Sequence, residues 1–142
     1  MTAHQHRGLL LNLPKITDEW WTNRRPDFKL YTSQLVIHEA SRGDPEAAGK
    51  RLNVLQNINL LELNTEIQEL TAQLLLKRVV PKKAYDDAIH ISTAIVYGID
   101  YLLTWNCKHI ANAEIQKAIA KISLQEGYEM PIFCTPESLM GE

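Results

Sequence analysis

At 142 residues, with 45% hydrophobic and 23% charged side chains, the chain has the size and composition of one ordinary globular domain, 1–142, able to bury its own core. A net charge of −2 excludes a protein that holds nucleic acid through a broad basic field. It leaves room for one whose acids offset basic residues elsewhere. The two cysteines, Cys107 and Cys134, form neither a CxxC pair nor a disulfide framework, so a reducing cytoplasm is the expected compartment. Leu9-Leu10-Leu11, broken by Asn12 and closed by Pro14, is too short an apolar run for a signal segment or a membrane span.

In chain order, Gly8–Leu13 reads equally as a strand or a helical turn. Thr17-Asp18-Glu19 starts a helix, with a hydroxyl for the N-cap and two acids at the positive end of the dipole, and Pro26 stops it. Phe28–Thr32 alternates as a strand does, and Ser33 then caps a helix through Ser41 that Gly43 ends. Asp44-Pro45 opens a further helix to about Gln56, with Pro at the first helical position. Leu60–Leu63 is expected to be a short buried strand. Thr65 and Gln68 form a capping-box pattern at the start of a helix to about Arg78.

Pro81 introduces a helix over Lys82–Tyr97 that Gly98 terminates. Asp100–Thr104 is the next strand, Ala111–Glu126 a helix with Ile115, Ile119 and Ile122 on one face, and Ile132–Cys134 the last strand. Strands alternating with helices of this length predict an α/β fold with a mostly parallel central sheet. Ligands of such sheets sit beyond the carboxyl ends of the strands. That rule directs attention to Ser33–Glu39 after one strand and to Trp105-Asn106 after another.

On the helix that begins near Tyr85, Ala84, Ala88, Ile91 and Ile95 share one narrow arc at about 100° per residue. Asp87 stands at the edge of that arc, and Asp86 lies about 100° further round, on the polar side, as a solvated acid. A carboxylate at an apolar margin needs a partner. A metal ion would serve Asp87; so would His90, one turn on. Glu39 in LVIHEAS is either a ligand or an ordinary helix-surface glutamate. Asn106 is either a turn residue or the source of a carbonyl oxygen for a hard cation. His90, Cys107 and His109 are donors of the zinc type, but Cys107-x-His109 is not a usual zinc spacing and no second close pair accompanies it.

From Ile16 onward the chain resembles the PIN-domain family, the fold of VapC-type ribonuclease toxins. The matching pieces are ITDEWW, LYTSQLVIHEASRGDPEAA, YDDAIHIS, DYLLTWNCKHIANAEI and PIFCTPESLMG. The resemblance implies a three-layer fold and metal-dependent hydrolysis of RNA phosphodiesters, with Mg²⁺ or Mn²⁺ as the cofactor. By motif it carries the acidic site onto Glu39, Asp87 and Asn106, with Ser33, Thr104 and His90 in support. It further implies a cytoplasmic homodimer that pairs with an antitoxin protein.

The family opens with a central strand bearing its first acid, followed by Thr or Ser. No such segment precedes Ile16; Leu9–Leu13 could occupy that slot, but it brings no acid. The expectation is therefore a domain lacking its N-terminal strand, through a late start or a truncation. Weak or absent nuclease activity follows, as does a sheet edge exposed to association. The alternative class is a non-catalytic PIN-like protein that binds an antitoxin or a copy of itself.

Overall fold

The computed structural model describes residues 8–12, 28–104 and 113–134. The elements, in order, are β1 (Gly8–Asn12), β2 (Lys29–Ser33), α1 (Gln34–Ala40), α2 (Pro45–Leu55), β3 (Asn59–Leu61), α3 (Thr65–Leu76), α4 (Tyr85–Val96), β4 (Tyr101–Thr104), α5 (Ala113–Gln125) and β5 (Ile132–Cys134). A single 3₁₀ turn, Lys82–Ala84, leads into α4, so the expected Lys82–Tyr97 helix is split at its start. The helix expected from Thr17 lies outside the described residues.

All five strands run parallel, in the order β3-β2-β1-β4-β5. The expectation of a missing central strand is therefore corrected: Gly8–Asn12 fills that place, paired with β2 on one side and β4 on the other. Its apolar run has the form a doubly covered parallel strand takes, because neither face meets water; Leu10 is wholly buried. The ladder begins with two bonds: the Gly8 N–H donates to Asp100 Oδ2 at 2.9 Å, and the Asp100 N–H donates to the Gly8 carbonyl at 3.1 Å. With the centre occupied, the edges are the three-residue strands β3 and β5, and the argument for association through an open central edge falls away.

Helices cover both faces. On one side Leu10 and Leu102 pack with Leu74 of α3, Ile91 and Ile95 of α4, and Ile119 of α5. On the other, Leu30 and Leu103 pack with Val36 and Ala40 of α1 and Leu55 of α2. Adjacent residues of β4 thus belong to opposite cores, as the period of two along a strand requires. The arc Ala84, Ala88, Ile91 and Ile95 is buried as its spacing predicts.

Local chemistry sets most boundaries. Ser33 Oγ accepts the Val36 N–H at 3.2 Å and starts α1; Asp44 Oδ2 accepts the Ala47 N–H at 3.0 Å and starts α2 behind Pro45. At α3 the cap is Asn64, whose Oδ1 accepts the Ile67 N–H at 2.9 Å, rather than Thr65. Thr65 is already the first helical residue, and with Ile67 at the third position the expected capping box is replaced by a single N-cap bond. Gly98 leaves α4 at φ +67, a left-handed conformation open to glycine without strain, and the chain turns straight back into β4.

Candidate metal and catalytic site

The strand order places the topological switch point between β1 and β4. The chain steps outward from β1 to β2 and β3, then returns to the other side of β1 for β4 and β5. Open parallel sheets bind ligands at such a point, beyond the carboxyl ends of the strands. Asn12 and Thr104 are register partners at that end. Ser33, the last residue of β2, stands two positions past the pair Leu10↔Tyr31, as Asn12 does on β1. Because α4 feeds β4 through a tight turn, its first residues return to this same end of the sheet. A separate cavity of about 260 Å³, with Gly8, Lys29 and Asp100 in its wall, lies at the amino ends instead.

Glu39 belongs to α1, the helix that leaves β2 directly. It sits in the last turn, where the carbonyl ends of a helix disfavour an acid. That turn is held from α2: Arg51 Nε donates to the Ala40 carbonyl at 3.1 Å, and its Nη2 donates to the Arg42 carbonyl at 2.6 Å. The Glu39 side chain is 31% exposed and its Oε1 lies 2.8 Å from Nε2 of His90, whose side chain is 2% exposed. His90 therefore partners Glu39. The sequence had offered it to Asp87, on its own helix. Nδ1 of His90 is buried and has no hydrogen-bond partner among the described residues.

Asp87 is half-buried in the first turn of α4, about 4.5 Å along the axis before His90 and on the same side of the helix. Asp86 is half-buried as well, not the freely solvated acid that the helical wheel suggested. Both acids sit at the positive end of the α4 dipole, so each has a structural reason to be there. Ser33 is buried, and its hydroxyl oxygen accepts the cap bond of α1. Thr104 ends β4. Asn106, Cys107 and His109 lie outside the described residues.

Glu39 and Asp87 offer hard carboxylate oxygens, and they suit Mg²⁺ or Mn²⁺ better than a soft ion. Mg²⁺ keeps several waters and is commonly held by one or two carboxylates. Carboxylates of this kind would suit a hydrated cation better than a closed cage; among the described residues no three His, Cys, Asp or Glu side chains are grouped to hold a metal. Zinc held by His90 is disfavoured by the engagement of Nε2 with Glu39.

Sequence reasoning missed two features of this end of the molecule. One is the Glu39–His90 contact, whose members are 51 residues apart and carry no common motif. The other is Asn12 at the switch point. Its signal was present: an apolar run closed by a polar residue is how a buried parallel strand ends at a ligand-binding edge.

No family model matches the sequence, and no curated protein matches it. Among solved structures, the chain is similar to one from a crystal structure of VapBC2 from Rickettsia felis bound to a DNA fragment from their promoter. The TM-score is 0.57 at 17% identity, and the match covers 90% of this chain and 98% of that chain. At this identity the likeness shows the fold: the chain has a PIN-like three-layer α/β architecture, with a parallel central sheet flanked by helices.

Proposed function

We propose that this chain is a toxin-type PIN-fold ribonuclease with an attenuated acidic site at the carboxyl ends of β1, β2 and β4. Glu39 and Asp87 are its charged ligands, Asn106 a neutral one or a water-orienting group, and Mg²⁺ or Mn²⁺ its ion. The ion's chemistry in such a site is to lower the pKa of a bound water and to stabilise charge on the leaving oxygen of a phosphodiester. Glu39 is held toward the site by His90, and Ser33, which ends β2, is a small hydroxyl residue beside it; Thr104 is the last residue of β4.

The observation that carries this reading is the switch point itself. The two acids picked out by sequence lie on the helix leaving β2 and on the helix entering β4, and these strands flank β1. Attenuation follows from β1, whose five residues GLLLN include no carboxylate. Losing even a group that merely supports a ligand typically costs about 10–100-fold in affinity or activity, and losing a ligand should cost more.

The test is Mn²⁺ calorimetry on this chain and on Asp87→Ala, followed by RNA cleavage with and without Mg²⁺. Binding that the variant loses, with slow cleavage that needs the ion, is the expected result. Robust cleavage matching that of a protein with an acid on β1 would refute the attenuation. Absence of Mn²⁺ binding would refute the acidic site.

A second reading is favoured by β1, whose residues GLLLN bring no carboxylate to the site. In it the chain is a non-catalytic PIN-like protein that binds an antitoxin or a second copy of itself. The likeness to a chain crystallised in a VapBC2 complex supports a partner-binding role. Homodimerisation belongs to both readings, and a concentration-independent monomer by light scattering would count against it.

A further inference from the structure

We propose that His90 is a positioning residue for Glu39, fixing which carboxylate oxygen is free to meet a cation. The proposal rests on the reading of Glu39 as a cation ligand. An ionised carboxylate only accepts hydrogen bonds, so at 2.8 Å from Oε1 the Nε2 of His90 carries the proton and donates it. The burial of the two partners is unequal: the imidazole side chain is 2% exposed and the carboxylate side chain 31%. The enclosed ring is the fixed member and the glutamate the adjustable one. With Oε1 held toward the interior, Oε2 is left without a hydrogen-bond partner among the described residues. Carboxylates that ligate metals are commonly hydrogen-bonded in turn, and such a bond fixes the orientation of the ligand.

A histidine that served packing alone would be poorly chosen here. Its Nδ1 is buried with no partner among the described residues, and its helix neighbours Ile91 and Ala94 are buried apolar side chains. An apolar side chain of similar volume would remove that orphan. Among the described residues its side chain's one polar contact is with Glu39, on another helix and 51 positions away. That contact is what the imidazole supplies and a leucine would not.

The experiment uses the full chain. Imidazole ¹⁵N–¹H spectra of the wild type and of Glu39→Gln test the contact, and Mn²⁺ calorimetry on wild type, His90→Leu and His90→Gln tests its consequence. The expected outcome is an Nε2–H tautomer whose nitrogen signals shift in Glu39→Gln. Mn²⁺ affinity should fall about 10–100-fold in His90→Leu and largely recover in His90→Gln, whose amide reaches the same point. If His90→Leu does not fold, His90→Asn replaces it, since its amide is polar but too short to reach Oε1.

Equal Mn²⁺ affinity in the wild type and the leucine or asparagine variant would overturn the positioning role. Nitrogen signals unmoved by Glu39→Gln would overturn it too, while leaving Glu39 free to bind Mn²⁺ unaided. A wild type that binds no Mn²⁺ while the spectra show the pairing would overturn the cation reading, and the proposal with it.

Discussion

Truncating Leu10 to alanine tests whether Gly8–Asn12 is the central strand. In the structure Leu10 has no exposed surface, flanking strands on both sides and helices above it. Buried Leu→Ala changes cost about 2–5 kcal/mol, the spread reflecting how far the surroundings collapse into the space. A site enclosed by two hydrogen-bonded strands has little freedom to collapse. Leu10→Ala should therefore fall in the upper half, about 3–5 kcal/mol. Against a total stability of about 5–15 kcal/mol, that is a substantial fraction. Urea denaturation monitored by circular dichroism measures it, with an unchanged m-value showing that the same surface is exposed on unfolding. Leu124→Ala is the control: Leu124 is 76% exposed, and its truncation should stay within about 0.5 kcal/mol of wild type. If Leu10→Ala behaves like that control, Gly8–Asn12 is peripheral and the switch-point argument for the site loses its basis.

Asn64→Ala should destabilise the protein by about 1 kcal/mol through loss of the α3 cap, whereas Thr65→Ala should cost clearly less. The reverse ranking in urea titrations would restore the capping box expected from sequence. Asn12→Asp, which puts a carboxylate on β1 beside the ends of β2 and β4, should tighten Mn²⁺ binding and raise Mg²⁺-dependent RNA cleavage. An unchanged calorimetric affinity would show that the missing acid is not what limits the site.

Sequence and structure diverge for identifiable reasons. Ser33, Asp44-Pro45 and Gly98 mark element ends through chemistry contained within a few residues, and these were legible in advance. The Tyr85 helix was legible because the alanine and isoleucine spacing in it matches one helical face. β1 was only half legible, because five residues without alternation suit a strand or a turn equally, and partners on both sides decide between them. The candidate acids were visible one at a time. Which group each of them meets was not.

By itself, then, the amino-acid order determined the alternation of strands and helices, most of the caps and the apolar faces, which follow from local propensity and period; the short list of acids came from the resemblance to a family. Tertiary structure alone decided that Gly8–Asn12 sits at the centre of the sheet, that the chain reverses its direction of growth between β1 and β4, and that His90 serves Glu39 in place of Asp87. Those outcomes depend on which surfaces are buried together across tens of residues. A hydrogen bond between α1 and α4 comes into being only when both helices are already packed against the same sheet.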